Sequence, residues 1–179
     1  IGEGGETLED TAKILSTYGD GFMFRTDSDK KIENFKKYLS IPIINGLSPS
    51  SHPTQVLSDI FTVEEIKKKN ISKLQLCWIG DANNNMMNSL IEVCIKFSIT
   101  LNIACPKDYQ PNNNLTYLIK KQKGKIKIFN KKEKAVKNSD VVMTDKIISL
   151  NDKVNKKKKL KSFKNFKVDT KTMNLAKKD

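Results

Sequence analysis

The sequence predicts an α/β protein in which parallel sheets are flanked by helices. Short apolar runs recur along the 179-residue chain and alternate with segments whose apolar residues repeat at helical spacing, a pattern typical of βα units. The strand-like runs are apolar on both faces, as expected of parallel strands that are covered by helices. Polar residues follow several of these runs, at the end of a parallel sheet where ligands gather.

Each predicted element rests on a local pattern. Thr7 and Asp10 have capping-box spacing, and Ser28 can cap a second helix. Asn45-Gly46 predicts a turn after the second strand, and Pro53 suits a first helical turn because its missing N–H would have no partner there. In chain order, the predicted elements are a helix over 6–18, a strand over 22–24, a helix over 28–39, a strand over 41–44, a helix over 56–68, a strand over 74–79, a helix over 86–97, a strand over 101–105, a helix over 115–123, a strand over 125–129, a helix over 133–137, a strand over 141–143, and a Lys-rich remainder from 151 with apolar anchors at Leu160, Phe163, Phe166, Met173 and Leu175.

The composition argues against several classes of protein. No apolar stretch approaches the roughly 20 residues that span a bilayer, and Cys77, Cys94 and Cys105 are too widely spaced for a Cys-x-x-Cys metal or redox pair. Their odd number argues against a disulfide framework and favours a reducing compartment, the cytoplasm. The net charge of +13 would attract nucleic acid. However, the lysines are spread along the chain and the densest run, 156–159, has no flanking aromatic ladder, so a solvated lysine surface is favoured.

Arg25 and His52 are the first candidate site residues. Of the 33 Lys and Arg residues, Arg25 is the only arginine, and His52 is the only histidine. An arginine kept in a sequence that otherwise uses lysine suggests a role that needs the planar guanidinium, such as two parallel hydrogen bonds to an oxyanion. It is an equally good interpretation that this arginine is there by chance. His52 and Gln55 are three residues apart across a predicted helix N-terminus, where free N–H groups favour an anion. Alternatively, His52 only caps that helix.

Two later strands are followed by polar candidates of a different kind. The run 80–85 holds a single glycine, Gly80, so it lacks the Gly-x-Gly-x-x-Gly pattern of a nucleotide site. Its amides at 83–85 suit a zwitterionic small molecule such as an amino acid, or they form a polar turn that only caps a helix. Asp145, after the last strand, can pair with a ligand ammonium group or cap the next turn.

Five segments together carry a family resemblance. They are residues 6–12, Arg25 after its strand, the His-Pro-Thr-Gln box at 52–55, the Trp-Ile-Gly-Asp run with its asparagines at 78–85, and Thr144-Asp145 followed by Ser149. In order and spacing they resemble the ornithine carbamoyltransferases, over nearly the whole chain. The resemblance implies the end of a carbamoyl-phosphate domain over 1–70, including a bridging helix, and a Rossmann-like ornithine domain over 71–179. It also implies a homotrimer.

The resemblance further implies roles for individual residues. Around the carbamoyl group, the implied catalytic and binding residues are Arg25, His52 and Gln55. Around ornithine, they are Asn85, Asp145, Ser149 and Leu150. The carbamoyl group would pass from carbamoyl phosphate to ornithine to give citrulline and phosphate, and this chemistry requires no metal or organic cofactor.

The chain departs from the family pattern in three places. It starts after the Ser-x-Arg-Thr-Arg phosphate motif and stops before the His-Cys-Leu-Pro motif, and Ser149-Leu150-Asn151 stands where Ser-Met-Gly is usual. We therefore expect these residues to be a fragment that is inactive alone. Two alternatives stay open: a transcarbamoylase for another amine or amino acid, and a non-catalytic domain whose basic surface docks on an anionic partner.

Overall fold

The computed structural model describes residues 5–121, 125–148 and 155–178, in which strands and helices alternate. The α/β class is confirmed, and each predicted strand is present with small displacements at its ends. In chain order the elements are α1 (Leu8–Leu15), β1 (Phe22–Arg25), α2 (Asp29–Lys36), β2 (Ile43–Leu47), α3 (Pro53–Lys67), β3 (Gln75–Ile79), α4 (Asn85–Lys96), β4 (Thr100–Ala104), α5 (Asn113–Lys121), β5 (Ile126–Phe129), α6 (Lys132–Val136), β6 (Val141–Met143), α7 (Lys156–Ser162) and α8 (Thr170–Met173).

The second half of the chain builds a four-stranded parallel sheet in the order β5-β4-β3-β6. β3 lies inside this sheet and pairs along its whole length with β4, from Gln75 opposite Thr100 to Ile79 opposite Ala104. On its other side β3 pairs with β6, where Trp78 lies opposite Met143. The chain therefore crosses from one side of β3 to the other between β5 and β6.

Helices cover both faces of this sheet. Leu76 and Trp78 point to one face, where they join the larger core with buried residues of α3, α4 and α5. Cys77 and Ile79 point to the opposite face and pack with α6 and with Phe163. Because successive side chains of a strand alternate between faces, covering both faces requires the continuous apolar run that the sequence shows in β3.

The first half of the chain contributes a second, smaller sheet of two parallel strands, β1 and β2. Phe35 of α2 is fully buried against it, with ring centroids 5.4 Å from Phe22 and 5.3 Å from Phe24. Ser28 occupies the N-cap position of α2 as predicted, but within the described part of the chain its side chain makes no capping hydrogen bond. The small aromatic cluster is thus the main apolar support of this sheet.

The predicted turn at Asn45-Gly46 is wrong, because both residues lie inside β2. The register of the two strands shifts there: Phe24 lies opposite Asn45, whereas Arg25 lies opposite Leu47. Gly46 is the extra residue of this bulge, and a Cβ atom on it would approach Met23 Cγ to 3.0 Å. Gly46 leaves room for Met23 in this bulge, and glycine is favoured in bulges as well as in turns, which explains the Asn-Gly signal.

The remaining corrections concern α1 and the Lys-rich end of the chain. α1 is shorter than the predicted 6–18, since Tyr18 is turned into solvent beyond its end, although Thr7 caps Asp10 N as expected. Among the expected apolar anchors, Phe163 and Phe166 are buried. The other three are exposed, namely Leu160, Met173 and Leu175.

The buried residue of α7 is instead a lysine, which corrects the expectation of a solvated run over 156–159. Lys159 Nζ lies 2.6 Å from the carboxylate of Asp81, and both side chains are more than nine-tenths buried. A lysine can be buried in this way because the opposite charge of its partner offsets part of the cost of removing it from water. α7 is therefore fixed to the sheet by an ion pair as well as by Phe163.

α3 joins the two sheets. It starts after β2, yet its buried residues Val56 and Ile60 belong to the core of the four-stranded sheet, and it packs along α4. The carboxyl ends of both sheets consequently face a common space. No helix within the described ranges is long and apolar enough to cross a membrane.

Candidate functional site

A cleft of about 760 Å³ opens where the carboxyl ends of the two sheets meet. On the side of the small sheet it is lined by Arg25, Thr26, Asp27, Leu47, Ser48, Pro49, His52, Gln55 and Asp59. On the side of the large sheet it is lined by Trp78, Asn84, Asn85, Met86, Met143, Thr144, Asp145 and Lys146. We refer to this space as the cleft.

Strand order explains the position of the cleft on the large sheet. β3 and β6 are neighbours, but the chain leaves β3 towards β4 on one side and arrives at β6 on the other. Loops that follow such a pair of strands diverge, and a crevice forms between them at the carboxyl edge. On the large-sheet side, the residues that line the cleft lie at the carboxyl ends of β3 and β6 or shortly after them.

Arg25 reaches the cleft because β1 ends there. It is the last residue of β1 and comes directly after the bulge, in which Gly46 of β2 is the extra residue. A bulge redirects the side chains that follow it. The next residue, Thr26, is tied to β2 by a hydrogen bond from its backbone N–H to the carbonyl of Leu47, at 3.0 Å. The backbone on both sides of Arg25 is therefore fixed while its side chain is exposed to solvent in the cleft.

His52 stands at the N-cap position of α3, and Pro53 is the first helical residue, as predicted. Within the described part of the chain, the His52 side chain makes no capping hydrogen bond, so the capping interpretation is not supported. Its Nδ1 lies 3.4 Å from Thr54 Oγ1, and that hydroxyl donates to the carbonyl of Gly46 at 3.3 Å. The imidazole is thereby connected to the bulge that positions Arg25.

The electrostatics of the cleft favour the uncharged form of His52. Burial, and after it the positive charge of Arg25, lower the pKa of the imidazole below its ordinary value. The negative charges of Asp59 and Asp145 act in the opposite direction but are weaker. A neutral imidazole has one N–H donor and one acceptor nitrogen, so His52 can donate to a ligand oxygen without being a cation.

Gln55 lies in the first turn of α3, as predicted, and is exposed to the cleft. Its amide nitrogen donates to Asp59 Oδ1, one turn later, at 2.8 Å. This hydrogen bond uses the donor end of the amide and leaves the carbonyl oxygen of Gln55 as an acceptor. Asp59 had no distinguishing signal in the sequence except its position four residues after Gln55.

The turn after β3 places Asn85 in the cleft. Gly80 leaves the strand with φ +152°, a conformation that favours glycine, and Asp81 then accepts from Asn83 N at 2.9 Å. Asn84 caps α4 by accepting from Met87 N at 2.8 Å, which agrees with the helix-capping alternative for one of the three amides. Asn85, the first residue of α4, donates instead to the carbonyl of Ser48, at 3.0 Å.

Asp145 follows β6 on the large-sheet side of the cleft. Its Oδ1 accepts from the backbone N–H of Lys146 at 2.7 Å, and the carboxylate is exposed to solvent. The preceding residue, Thr144, donates from its hydroxyl to the carbonyl of Ile79 at 2.7 Å, which fixes the end of β6 against β3. The predicted residues Ser149 and Leu150 lie outside the described residues.

The cleft thus brings together five residues that the sequence singled out: Arg25, His52, Gln55, Asn85 and Asp145. Burial raises the pKa of the three thiols to about 12 each, so none of them is a nucleophile at neutral pH. Over the described ranges, no group of three His, Cys, Asp or Glu side chains could hold a metal ion. The cleft therefore offers hydrogen-bond donors, acceptors and fixed charges.

Nothing in the sequence indicated the contacts that support these side chains. Trp78 donates from its indole nitrogen to the carbonyl of Asp81 at 3.1 Å, and the ion pair with Lys159 fixes the same turn from the other side. Ser89 accepts a hydrogen bond from His52 N at 2.8 Å. The buried ion pair and the buried serine join residues far apart in the chain, and no local pattern marks them.

Family models cover most of the chain. The one described as aspartate/ornithine carbamoyltransferase, Asp/Orn binding domain, matches residues 72–179. The one described as aspartate/ornithine carbamoyltransferase, carbamoyl-P binding domain, matches residues 1–65.

Individual relatives point the same way. The ornithine carbamoyltransferase of Methanosarcina acetivorans is 38% identical over 175 residues, which are 98% of this chain and 57% of the relative. That of Caldicellulosiruptor saccharolyticus is 40% identical over 180 residues, or 98% and 58%. The solved anabolic ornithine carbamoyltransferase of Campylobacter jejuni superposes with a TM-score of 0.86 at 35% identity, covering 99% of this chain and 59% of that one. The chain thus spans less than two thirds of the length of these relatives.

Proposed function

The chain belongs to the aspartate/ornithine carbamoyltransferase family, and from this premise we propose that it is part of an ornithine carbamoyltransferase. Such an enzyme transfers the carbamoyl group of carbamoyl phosphate to the δ-amine of ornithine and yields citrulline and phosphate, a step of arginine metabolism. The observation that carries the proposal is the meeting of Arg25 and His52, from separate loops, in one cleft at the carboxyl ends of the two sheets.

Arg25, His52 and Gln55 are the proposed residues for the carbamoyl group. The guanidinium and the neutral imidazole can both donate to the carbonyl oxygen, on which negative charge develops when the amine attacks the carbon. A preorganised donor of this kind contributes roughly 3–4 kcal/mol to the transition state in oxyanion-hole enzymes. The free carbonyl oxygen of Gln55 can accept from the carbamoyl amine and so orient the group for attack.

Asn85 and Asp145 are the proposed residues for ornithine, together with Ser149 and Leu150 as the family resemblance implies. The exposed carboxylate of Asp145 can pair with an ammonium group of the amino acid. Asn85 begins α4 beside the cleft, where the positive end of the helix dipole favours a carboxylate. Asp145 and the N-terminus of α4 would then hold the opposite charges of one zwitterion.

The same proposal extends to the organisation of the protein. We propose a division near residue 70 into a carbamoyl-phosphate part over 1–70 and a Rossmann-like ornithine part over 71–179. Matches of the two family models to 1–65 and 72–179 support this division. A homotrimer in the cytoplasm is proposed from the resemblance, and the buried free thiols are compatible with a reducing compartment.

Citrulline formation by the protein that contains this chain tests the proposal. We expect turnover with carbamoyl phosphate and ornithine, and an Arg25→Gln variant should lose at least about 100-fold in kcat because one donor is removed. Lys13→Gln, an exposed change on α1 away from the cleft, is the matched control and should keep full activity.

Three outcomes would overturn the proposal. Turnover of putrescine, aspartate or acetylated ornithine in preference to ornithine would indicate a transcarbamoylase for another substrate. Steeply salt-dependent retention on nucleic acid, with no effect of carbamoyl phosphate on thermal stability, would indicate a non-catalytic binding domain. Full activity of Arg25→Gln would remove the observation on which the assignment rests.

A further inference from the structure

The loop between β2 and α3, residues 48–52, is held by side chains from α4. Three α4 residues on one helix face, at positions i, i+3 and i+4, each bind its backbone. Asn85 Nδ2 donates to the carbonyl of Ser48 at 3.0 Å. Asn88 Nδ2 donates to the carbonyl of Ser50 at 2.8 Å, and His52 N donates to Ser89 Oγ at 2.8 Å. These contacts join the two sides of the cleft, because α4 belongs to the large sheet and the loop to the small one.

From this arrangement we propose that Ser89 is a positioning residue for His52. Ser89 is 2% exposed, and its hydroxyl oxygen accepts a hydrogen bond from the backbone N–H of His52. His52 is the N-cap of α3, so this contact fixes the chain at the point where it turns from loop to helix. Its role deepens the proposed function, on which it rests, since His52 acts there on the carbamoyl group.

The remaining contacts of the loop explain why Ser89 controls the imidazole rather than the whole loop. Asn45 of β2 donates to Ser51 Oγ at 2.8 Å and to Ser48 Oγ at 3.2 Å, so the first part of the loop is held from its own sheet. Ser48 N also donates to the carbonyl of Ser51, at 2.9 Å. His52 lies beyond these contacts, and Ser89 is the side chain that fixes its backbone N–H from the large sheet.

Loss of the Ser89 hydroxyl should therefore misplace His52 while the fold persists. A displacement of about 1 Å at a reacting group can cost roughly 100-fold in rate. We expect Ser89→Ala to lower kcat at least about tenfold, with a smaller change in KM for carbamoyl phosphate. Ser89→Thr, which keeps the hydroxyl, should restore most of this loss.

The position of the imidazole is measurable by NMR. The ring resonances of His52 are identified as those that disappear from the spectrum of a His52→Gln variant. Ser89→Ala should shift or broaden these resonances and move their titration midpoint. Ser139→Ala is the matched control: this serine is also fully buried, but it donates to the carbonyl of Ala135 on the other face of the large sheet. It should lose stability while kcat and the His52 resonances stay unchanged.

The outcomes separate this inference from the proposed function. If the parent protein forms no citrulline, the His52 resonances still report whether Ser89 positions the ring. If Ser89→Ala does not fold, Asn88→Ala removes a neighbouring contact at a half-buried site and should move the same resonances to a smaller extent. A folded Ser89→Ala variant with parental kcat and unchanged His52 resonances would overturn the proposal, as would equal effects from Ser139→Ala.

Discussion

The two sheets of this molecule differ sharply in how they are supported. The four-stranded sheet is covered by helices on both faces and contains two clusters of buried apolar side chains. The two-stranded sheet has few buried apolar side chains. Within residues 5–47, a range that the structure describes without gaps, only Ala12 and Phe35 are fully buried apolar residues. Nevertheless the small sheet supplies Arg25 and leads to His52. The proposed reactive groups therefore sit on the weakly supported side.

The large sheet serves as a platform for the small one. α3 carries its buried residues into the core of the large sheet, and α4 holds the loop that ends in His52. A two-stranded sheet is marginally stable by itself. Its carboxyl edge can still present side chains at fixed positions because the next element of the chain is anchored elsewhere. Four predictions test this division, beginning with the largest effect.

Removing core volume from the large sheet should have the largest effect. Leu101 is fully buried in β4, and Leu101→Ala should lower the free energy of unfolding by about 4–5 kcal/mol because a cavity remains in an enclosed core. Chemical denaturation followed by far-UV circular dichroism measures this loss.

Phe35→Ala is the counterpart on the small sheet. It should lower the amide-exchange protection of β1 and β2 and leave that of β3 and β4 close to the parent, because the aromatic cluster supports one sheet only. Equal loss of protection in both sheets would show that they unfold as one unit and would contradict separate support of the small sheet.

Breaking the buried ion pair should have the next largest effect. Lys159→Met leaves the carboxylate of Asp81 buried without its partner, and we expect a loss of about 3–4 kcal/mol in the free energy of unfolding. The double variant Lys159→Met/Asp81→Asn should recover much of this loss, since the uncompensated charge is gone while the amide oxygen can still accept from Asn83 N.

The exposed pair of Lys13 and Glu9 on α1 supplies the control, because both of its side chains are largely open to solvent. Lys13→Met should leave the denaturation midpoint unchanged. A loss as large as that of Lys159→Met would contradict the view that burial of the pair is what matters.

A helix cap on the small-sheet side should have a smaller and local effect. Thr7 accepts from Asp10 N at 3.1 Å, and Thr7→Ala should destabilise α1 by about 1 kcal/mol. Amide exchange along α1 measures it. Asn84→Ala removes the corresponding cap of α4, which lies in the large core, so its effect should appear in global unfolding instead.

The smallest effect should come from pH. Burial and the charge of Arg25 lower the pKa of His52 in the folded protein, so between that value and the unfolded value near 6.5 the unfolded state binds more protons. Stability should consequently rise with pH through this window and level off above it. NMR titration of the His52 ring should give a midpoint below 6.5.

Arg25→Gln sharpens this last test. It should raise the His52 midpoint, because the second cause of the shift is removed. A midpoint at or above 6.5 in the parent protein would contradict the described environment of the ring.

The sequence predicted those features that depend on neighbouring residues. The strand and helix order, the placement of Pro53 in the first turn of α3 and the free thiols all follow from local patterns. Asn45-Gly46 failed because a bulge and a turn favour the same residue types, and pairing with β1 decided between them. Whether Asn45-Gly46 forms a turn or a bulge thus depends on β1, a strand that lies elsewhere in the sequence.

Long-range polar contacts explain the rest. Lys159 looked like one more solvated lysine, since nothing in its own helix shows that Asp81 lies opposite. Ser89 lies 37 residues from His52, and a serine inside an apolar helix carries no signal of its partner. Arg25 and His52 stood out in the sequence as the single residues of their types, whereas the side chains that hold the cleft residues in place are common types in ordinary settings.

Trp78 gives the molecule a built-in optical reporter. It is the single tryptophan of the sequence, it contributes to the floor of the cleft, and its indole nitrogen is bonded to the turn that leads to Asn85. Within these 179 residues, emission excited at the red edge of the absorption band therefore arises from one indole at one known place. Binding of a ligand in the cleft, or a shift of that turn, would change the wavelength or the quantum yield of this intrinsic fluorescence, so no added label is needed.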